Sequence, residues 1–175
     1  LFEHLSVEEN LDFVIKNNQI KNQNKISISK EYLTKHLGLN SLLKRSPENL
    51  SGGEKLRVVL ARTILKQPKY LLLDEPMSDL DIKYKAKLIV FLKNFNKKFK
   101  IPILYITHSI EEISQIGDQI VLIKDGKKID KVDKKAPKIP FILYPIKVAV
   151  ISIGPGVICP IAIESINSLC VNHPS

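Results

Sequence analysis

Apolar positions change period at identifiable points along the chain, and each change predicts an element. Ser6 followed by Glu9 has the spacing of a capping box, and Leu11, Val14 and Ile15 continue at helical intervals, so a helix is expected over about 7–17. A polar Asn/Lys/Gln linker follows. "SKEYLTKHLG" then reads as a second helix stopped by Gly38, with a short helical turn near "NSLLKR". From Ser51 the pattern lengthens: Ser51 and Glu54 repeat the capping-box spacing, Leu56, Val59, Leu60 and Ile64 give an apolar stripe, and Pro68 ends it.

"KYLLLDEP" is a short continuous apolar run, as expected of a strand buried on both faces of a parallel sheet, with carboxylates at its carboxyl end. A helix over about 82–98 places Leu88, Leu92, Phe95 and Phe99 on one face, and "IPILYITH" predicts a second buried strand. Ser109 with Glu112 caps a short helix. "DQIVLIKDGKKIDKV" alternates around Asp125-Gly126, which predicts a hairpin. Strand, helix, strand, helix and hairpin together imply an α/β core whose polar residues collect at strand carboxyl ends, where such folds bind ligands.

Composition changes this picture in a few places. The chain has 175 residues, 44% hydrophobic and 26% charged, which suits a soluble globular protein with one ordinary core. Its net charge of +9 is spread over scattered lysines, densest at Lys97, Lys98 and Lys100 near a helix end, with no interleaved aromatics. A solvated basic face is the reading, not a nucleic-acid site. The two cysteines, Cys159 and Cys170, have no metal-ligand spacing around them and point to a reducing compartment. "LFEHLSVEEN" lacks the basic start and cleavage site of a signal peptide, and Leu1 in first place reads as a chain missing its true start. From about Lys134 the sequence becomes apolar and holds six of the ten prolines. Pro140, Pro145, Pro155, Pro160 and the Gly154-Pro-Gly156 break argue against a membrane-spanning helix there, and a short β-like segment at 148–153 is expected inside an atypical extension.

The candidate chemistry lies in four short stretches. Ser51-Gly52-Gly53 stands at a helix mouth, where each glycine weakens the helix start by up to about 1 kcal/mol unless backbone must approach something closely. Such a mouth suits an anion, yet the sequence holds no G-x-x-x-x-G-K-[ST] loop for a nucleotide. Asp74-Glu75 and His108 are each ambiguous alone, as a strand-end pair and a structural histidine. Their order decides the reading.

"LSGGE", "YLLLDEP", "SDLD" and "ITH" resemble, in order and spacing, the signature motif, Walker B, D-loop and H-loop of the ATP-binding-cassette (ABC) ATPases, and "LFEHLSVEENLDF" resembles the segment after that family's Q-loop. The resemblance covers about 1–132. It implies an α/β, partial P-loop NTPase fold with a helical subdomain and parallel core strands, lacking the Walker A portion. The organisation expected is a helical segment at 1–50, a signature-to-H-loop core at 51–133 and a Pro-rich apolar tail at 134–175.

In this family two cassettes pair head to tail, so the resemblance implies that Ser51, Gly52, Gly53 and Glu54 address ATP held by a partner. Asp74 would hold Mg²⁺, Glu75 would act as general base or water-orienting group, His108 would contact the γ-phosphate, and Asp81 would couple the two sites. Implied partners are a second ATPase subunit, transmembrane permease subunits and, for an importer, a substrate-binding protein, at the cytoplasmic face of the membrane. Within the family "LLKRSPENLSGGEKLRVVLAR" and "IPILYITHSIEEI" most resemble molybdate importers, with sulfate, iron and polyamine importers close behind. A soluble non-transport ABC ATPase and an inactive fragment are the alternatives. Glu54 stands where the family usually has Gln, Leu56 replaces a frequent Gln, and Asp79 a common Ala.

Overall fold

The computed structural model describes residues 1–19, 28–78, 80–116, 119–124, 127–133 and 147–152. Most of the polar linker, Asp79, the Asp125-Gly126 turn and the tail either side of 147–152, both cysteines included, lie outside the described residues. The chain divides into two compact units, Leu1–Lys69 with Met77–Leu92, and Tyr70–Pro76 with Lys93–Ser175.

The first unit is helical. α1 (Val7–Gln19) begins at the predicted capping box: Ser6 N–H donates to Glu9 Oε2 at 2.7 Å, and Glu9 N–H donates to Ser6 Oγ at 3.2 Å. Two more first-turn amides find backbone acceptors, Val7 N–H on the Arg45 carbonyl and Glu8 N–H on that of Leu43. Asn10, fully buried, accepts from Phe2 N–H and donates to the carbonyls of Phe2, Leu5 and Ser6, which ties the entering chain to the helix. α2 (Lys30–His36) is started by Ser29 and ends where Gly38 adopts a φ of +64°, as the sequence predicts. Lys30 reaches Glu8 at 3.1 Å and Asp12 at 2.7 Å; burial alone would lower its pKa, but these two carboxylates outweigh it and raise it.

α3 (Gly52–Leu65) buries Val58, Leu60, Ala61, Ile64 and Leu65. Its inward face is thus centred on Ala61, and Val59, expected in the apolar stripe, is 44% exposed. The reason is geometric: Val58, Ala61 and Leu65 follow the 3–4 residue spacing of one face, and Val59 falls a full 100° off Val58. Gln67, at φ 53°, turns the chain before Pro68.

The second unit holds a sheet in the order β1-β2-β5-β3-β4. β1 (Leu71–Asp74) runs parallel to β2 (Ile103–Thr107), joined through α4 (Ile82–Phe99). Leu88, Leu92, Phe95 and Phe99 of α4 are all buried, as predicted. Lys100, at φ 56°, ends that helix, and the buried Asn96 donates its side-chain amide to the Ile101 carbonyl in the turn that follows. α5 (Ile110–Ile116) leads to β3 (Gln119–Lys124), which forms the expected hairpin with β4 (Lys127–Asp133), bulged between Leu122 and Ile123. The β-like tail segment is also present, as β5 (Lys147–Ser152). One expectation fails: β1 is not buried on both faces. Leu71 is buried but Leu72 is 40% exposed, because nothing among the described residues covers that side chain. Among the described residues no helix is long and apolar enough to cross a membrane.

A Cβ built on Gly53 would meet Leu80 Cδ2 at 2.5 Å, too close to be accommodated without movement, so Gly53 is small because a leucine packs on it. We predict that Gly53→Ala destabilises the first unit by about 1–3 kcal/mol, and that adding Leu80→Ala recovers much of that loss although Leu80→Ala alone is itself destabilising. A double-mutant cycle in urea checks this; additive effects would show that the two residues do not meet.

Candidate functional site

The mouth of α3 is a complete capping box. Ser51 N–H donates to Glu54 Oε2 at 2.8 Å, and Glu54 N–H donates to Ser51 Oγ at 3.3 Å. The hydrogen bond from Ser51 N–H, with the Ser51 hydroxyl and the cations of Arg45 and Arg57 also contributing, holds the Glu54 carboxyl below its ordinary pKa against a smaller desolvation. Arg45 Nη1 stands 3.8 Å from Glu54 Oε1. Ser51 and Gly52 are exposed.

Arg57 organises the same end of the helix, a role the sequence did not suggest. Its Nη1 donates to the carbonyls of Leu37 and Gly38 at 2.8 and 3.1 Å, closing the end of α2, while Nε donates to the Gly53 carbonyl at 3.3 Å. The guanidinium also lies over the Tyr84 ring, 4.8 Å from its centroid. One fork thus joins α2, the Gly-Gly turn and the first turn of α4. The signal was present as an arginine one turn after the glycines, but its partners are backbone carbonyls, which no side-chain pattern reveals.

Asp81 is the cap of α4: its Oδ1 accepts from Tyr84 N–H at 3.0 Å, and its carbonyl accepts from Lys85 N–H at 2.9 Å. This local role is sufficient to explain an Asp at that position.

In the second unit the parallel register places Asp74 opposite Ile106, and Glu75 N–H donates to the Ile106 carbonyl at 2.9 Å. Glu75 adopts a φ of 45°, which costs a non-glycine residue roughly 1–2 kcal/mol and is held by that pairing. Its carboxylate then meets His108: Nδ1 and Glu75 Oε1 are 2.7 Å apart. The imidazole is mostly exposed and the carboxylate half-buried. Asp74 is exposed beside them, and its carboxylate makes no hydrogen bond or ion pair with the described residues. Of the candidate residues, the fold therefore joins Glu75 to His108 with Asp74 adjacent; Ser51, Gly52, Gly53, Glu54 and Asp81 belong to the first unit.

Behind His108 lies a buried cluster that sequence reasoning read as a cap alone. Ser109 Oγ does accept from Glu112 N–H, at 3.4 Å, but the Glu112 carboxylate accepts from Tyr105 and Thr107 hydroxyls, both at 2.8 Å. Burial first, and the Glu112 hydrogen bond second, push the Tyr105 phenol far above its ordinary range. Thr107 Oγ1 in turn accepts from Ser109 N–H at 3.0 Å, so the backbone on both sides of His108 is pinned.

Among the described residues no cluster of three or more His, Cys, Asp and Glu forms a metal cage. Mg²⁺ does not require one, since it takes one or two carboxylates with waters and substrate phosphates, and the exposed, unengaged Asp74 suits that use.

Comparisons with known proteins bear on the fold and family. Residues 1–78 match the sequence family described as ABC transporter. The chain is 45% identical over 128 residues to the molybdenum import ATP-binding protein ModC of Pasteurella multocida, covering 73% of this chain and 34% of that protein. It is 42% identical over 136 residues to the ModC of Haemophilus influenzae, covering 77% of this chain and 37% of the relative. The chain thus spans about a third of the length of the curated relatives it matches. Among solved structures, a dimeric ATP-binding cassette in a post-hydrolysis state, bound to ADP and Pi, is similar with a TM-score of 0.63 and 26% identity, over 78% of this chain and 60% of that one. The fold is that of a partial P-loop NTPase of the ABC ATPase type.

Two outcomes follow for the α3 mouth. Ser51→Ala should weaken the start of α3 by about 1 kcal/mol, read as lost amide protection in its first turn. Because the Glu54 pKa is depressed in the folded state, its ionised form contributes stability above the unfolded value, and that contribution is lost as pH falls through the folded value. Glu54→Gln should therefore be less stable than the parent at neutral pH and equal to it in acid; a stability gap unchanged below the ordinary glutamate range would contradict the assignment.

Proposed function

Since this chain is a homologous part of the ABC transporter ATP-binding family, we propose that it supplies catalytic and partner-contacting elements of an ATP-hydrolysing subunit that drives import of molybdate or a related anion. The observation that carries the proposal is the 2.7 Å pairing of Glu75 with His108 at the carboxyl ends of two parallel strands, with Asp74 beside it. The relatives named for molybdenum import supply the substrate class.

Each residue takes its role from its chemistry. Glu75 accepts a proton from, or orients, the water that attacks a γ-phosphate, and His108 holds the carboxylate on one side and faces solvent on the other, where a phosphate can be met. Asp74 holds Mg²⁺, whose chemistry when bound is to neutralise phosphate charge. Ser51, Gly52 and Gly53 present hydroxyl and first-turn N–H donors to the ATP of a second, head-to-tail subunit. Asp81, the cap of α4, lies in the same unit as those donors and couples them to that partner. Permease subunits, and a substrate-binding protein, complete the assembly at the cytoplasmic membrane face.

The 175-residue polypeptide contains no G-x-x-x-x-G-K-[ST] loop, so by itself it should neither bind ATP appreciably nor hydrolyse it. Micromolar binding by calorimetry would refute this. Joined behind the phosphate-loop segment of the Pasteurella multocida relative, the chain should hydrolyse ATP, and Glu75→Gln should lower turnover by about 10²- to 10⁴-fold with ATP binding retained. Unchanged turnover would place the base elsewhere.

The partner-directed role of the α3 mouth has a separate test at Gly52, which is exposed, rather than at Gly53, which Leu80 covers. In that chimaera Gly52→Asp puts an acid in a first helical turn, favourable to the helix by about 0.3–1 kcal/mol, but sets a carboxylate against a partner's γ-phosphate. ATP binding by the monomer and thermal stability should persist while ATP-driven dimerisation fails. Loss of monomer ATP binding would show that the motif serves its own chain's nucleotide.

A further inference from the structure

The first unit carries a pocket that the proposed chemistry does not use. It has a volume of about 230 Å³ and lies where the end of α2, the first turns of α3 and the start of α4 come together, all within that unit. Leu37, Leu80, Leu88 and Phe91 are buried and give it an apolar wall, while Lys35, Gly38, Tyr84 and Lys87 stand exposed around it. The charges on the lining have one sign. Lys35, Arg57 and Lys87 are cations, and among the described residues no carboxylate lines the pocket or forms an ion pair with any of the three. Arg57 is engaged only by the carbonyls of Leu37, Gly38 and Gly53, which accept hydrogen bonds without cancelling its charge, and the two hydrogens on its Nη2 have no acceptor among the described residues. The guanidinium and Lys87 Nζ lie 4.8 Å and 5.3 Å from the centroid of one ring, that of Tyr84, so these like charges stand within about one Debye length of each other at 0.1 M salt. The ring attracts both and neutralises neither. The acids closest in sequence to Arg57 and Tyr84 are turned to other work: Glu54 Oε2 accepts from Ser51 N–H, and Asp81 Oδ1 from Tyr84 N–H.

We propose that this pocket binds a small organic anion, a single aromatic ring carrying a carboxylate or a phosphate. Size decides the body of the ligand. A dry apolar cavity of about 150 Å³ accepts benzene, so a pocket of about 230 Å³ takes one ring with a charged head group and little more. A peptide helix or strand needs a longer groove than that. Charge decides the head group: its oxygens meet the unengaged edge of Arg57 and the ammonium groups of Lys87 and Lys35, and the ring lies against Tyr84 and the leucines. The site stands apart from the ATPase reading, since neither Ser51, Gly52 nor the Glu75–His108 pair lines it. It nevertheless reaches the same framework. The Arg57 fork ties the end of α2 to the Gly53 carbonyl and to the Tyr84 ring, so a ligand held there stabilises the junction of the three helices in the folded state alone.

Titrating the full 175-residue chain, labelled with nitrogen-15, against benzyl phosphate and against phenylacetate tests this through its amide shifts. The amides of Leu37, Gly38, Tyr84 and Lys87 should move while those of β1 stay in place, and the tighter of the two acids identifies the head group. That acid should bind roughly tenfold more tightly than inorganic phosphate and than benzyl alcohol, because each of these lacks one half of the ligand. Lys35→Gln combined with Lys87→Gln should weaken binding at least fivefold with the thermal midpoint unchanged, whereas Lys93→Gln, at an exposed lysine of the same helix outside the pocket, should bind as the parent does. No shift with either acid overturns the proposal. Inorganic phosphate binding as tightly as the acid would show an adventitious ion only, and equal binding of benzyl alcohol would show that the cations play no part; either result overturns it. Shifts gathered at Ser51, Gly52 and Gly53 instead would assign the anion to the mouth of α3 and overturn the pocket while leaving the ATPase reading in place.

Discussion

The parallel pairing of β1 with β2 is the constraint on which the chemistry of this chain depends. A slip of one residue would move Asp74 off Ile106 and leave Glu75 N–H without the Ile106 carbonyl, and every side chain of β1 would change face. Glu75 occupies a left-handed backbone conformation that non-glycine residues seldom adopt. The hydrogen bond to β2 supports that conformation, and it turns the carboxylate toward the residue just past the end of β2, which is His108. Strain and contact are thus two consequences of one register.

The other side of His108 is fixed by different means. Glu112 reaches back from α5 to Tyr105 and Thr107, hydroxyls that stand on alternate residues and hence on one face of β2. A buried carboxylate is costly unless it is engaged, and two hydroxyls donate to its Oε2. The result is a rigid seat: Thr107 before His108 and Ser109 after it are both held, while the imidazole itself stays exposed. A rigid backbone beneath an accessible side chain suits the phosphate-contacting role proposed for His108.

Much of this was legible in the sequence because it is local. Capping boxes, the Asp-Gly hairpin and the apolar runs are set by residues three or four apart, so Ser6–Glu9, Ser51–Glu54, β1 and β2 follow directly. Two local expectations failed through tertiary setting, with Val59 turned outward on α3 and Leu72 uncovered on β1. The rest was out of reach in principle. Arg57 acts through backbone carbonyls of Leu37 and Gly38, and Tyr105 looked like one apolar strand residue among several until Glu112 was seen beside it. The tail segment was expected to be β-like, yet nothing in its own residues says which strands it will pair with or in which direction, since pairing partners are non-local.

The mouth of α3 admits a stricter accounting of donors than its motif suggests. Ser51 N–H is already engaged by Glu54, and the Ser51 oxygen already accepts from Glu54 N–H. The Ser51 hydroxyl also leans on the Glu54 carboxylate, so the donors without an acceptor inside the helix are the first-turn amides of Gly52 and Gly53. Glu54 itself works against such a ligand, because the capping box keeps it ionised and so keeps a negative charge one turn from the site. A glutamine would make the same backbone contact without that charge. Arg45, 3.8 Å from Glu54, offsets part of the repulsion, and Arg57, through its bond to the Gly53 carbonyl, adds positive charge beneath the glycines. The Ser51 amide first, and the two arginines after it, hold the Glu54 charge in place, so the cap and the proposed anion-facing amides form one electrostatic unit rather than two overlapping motifs.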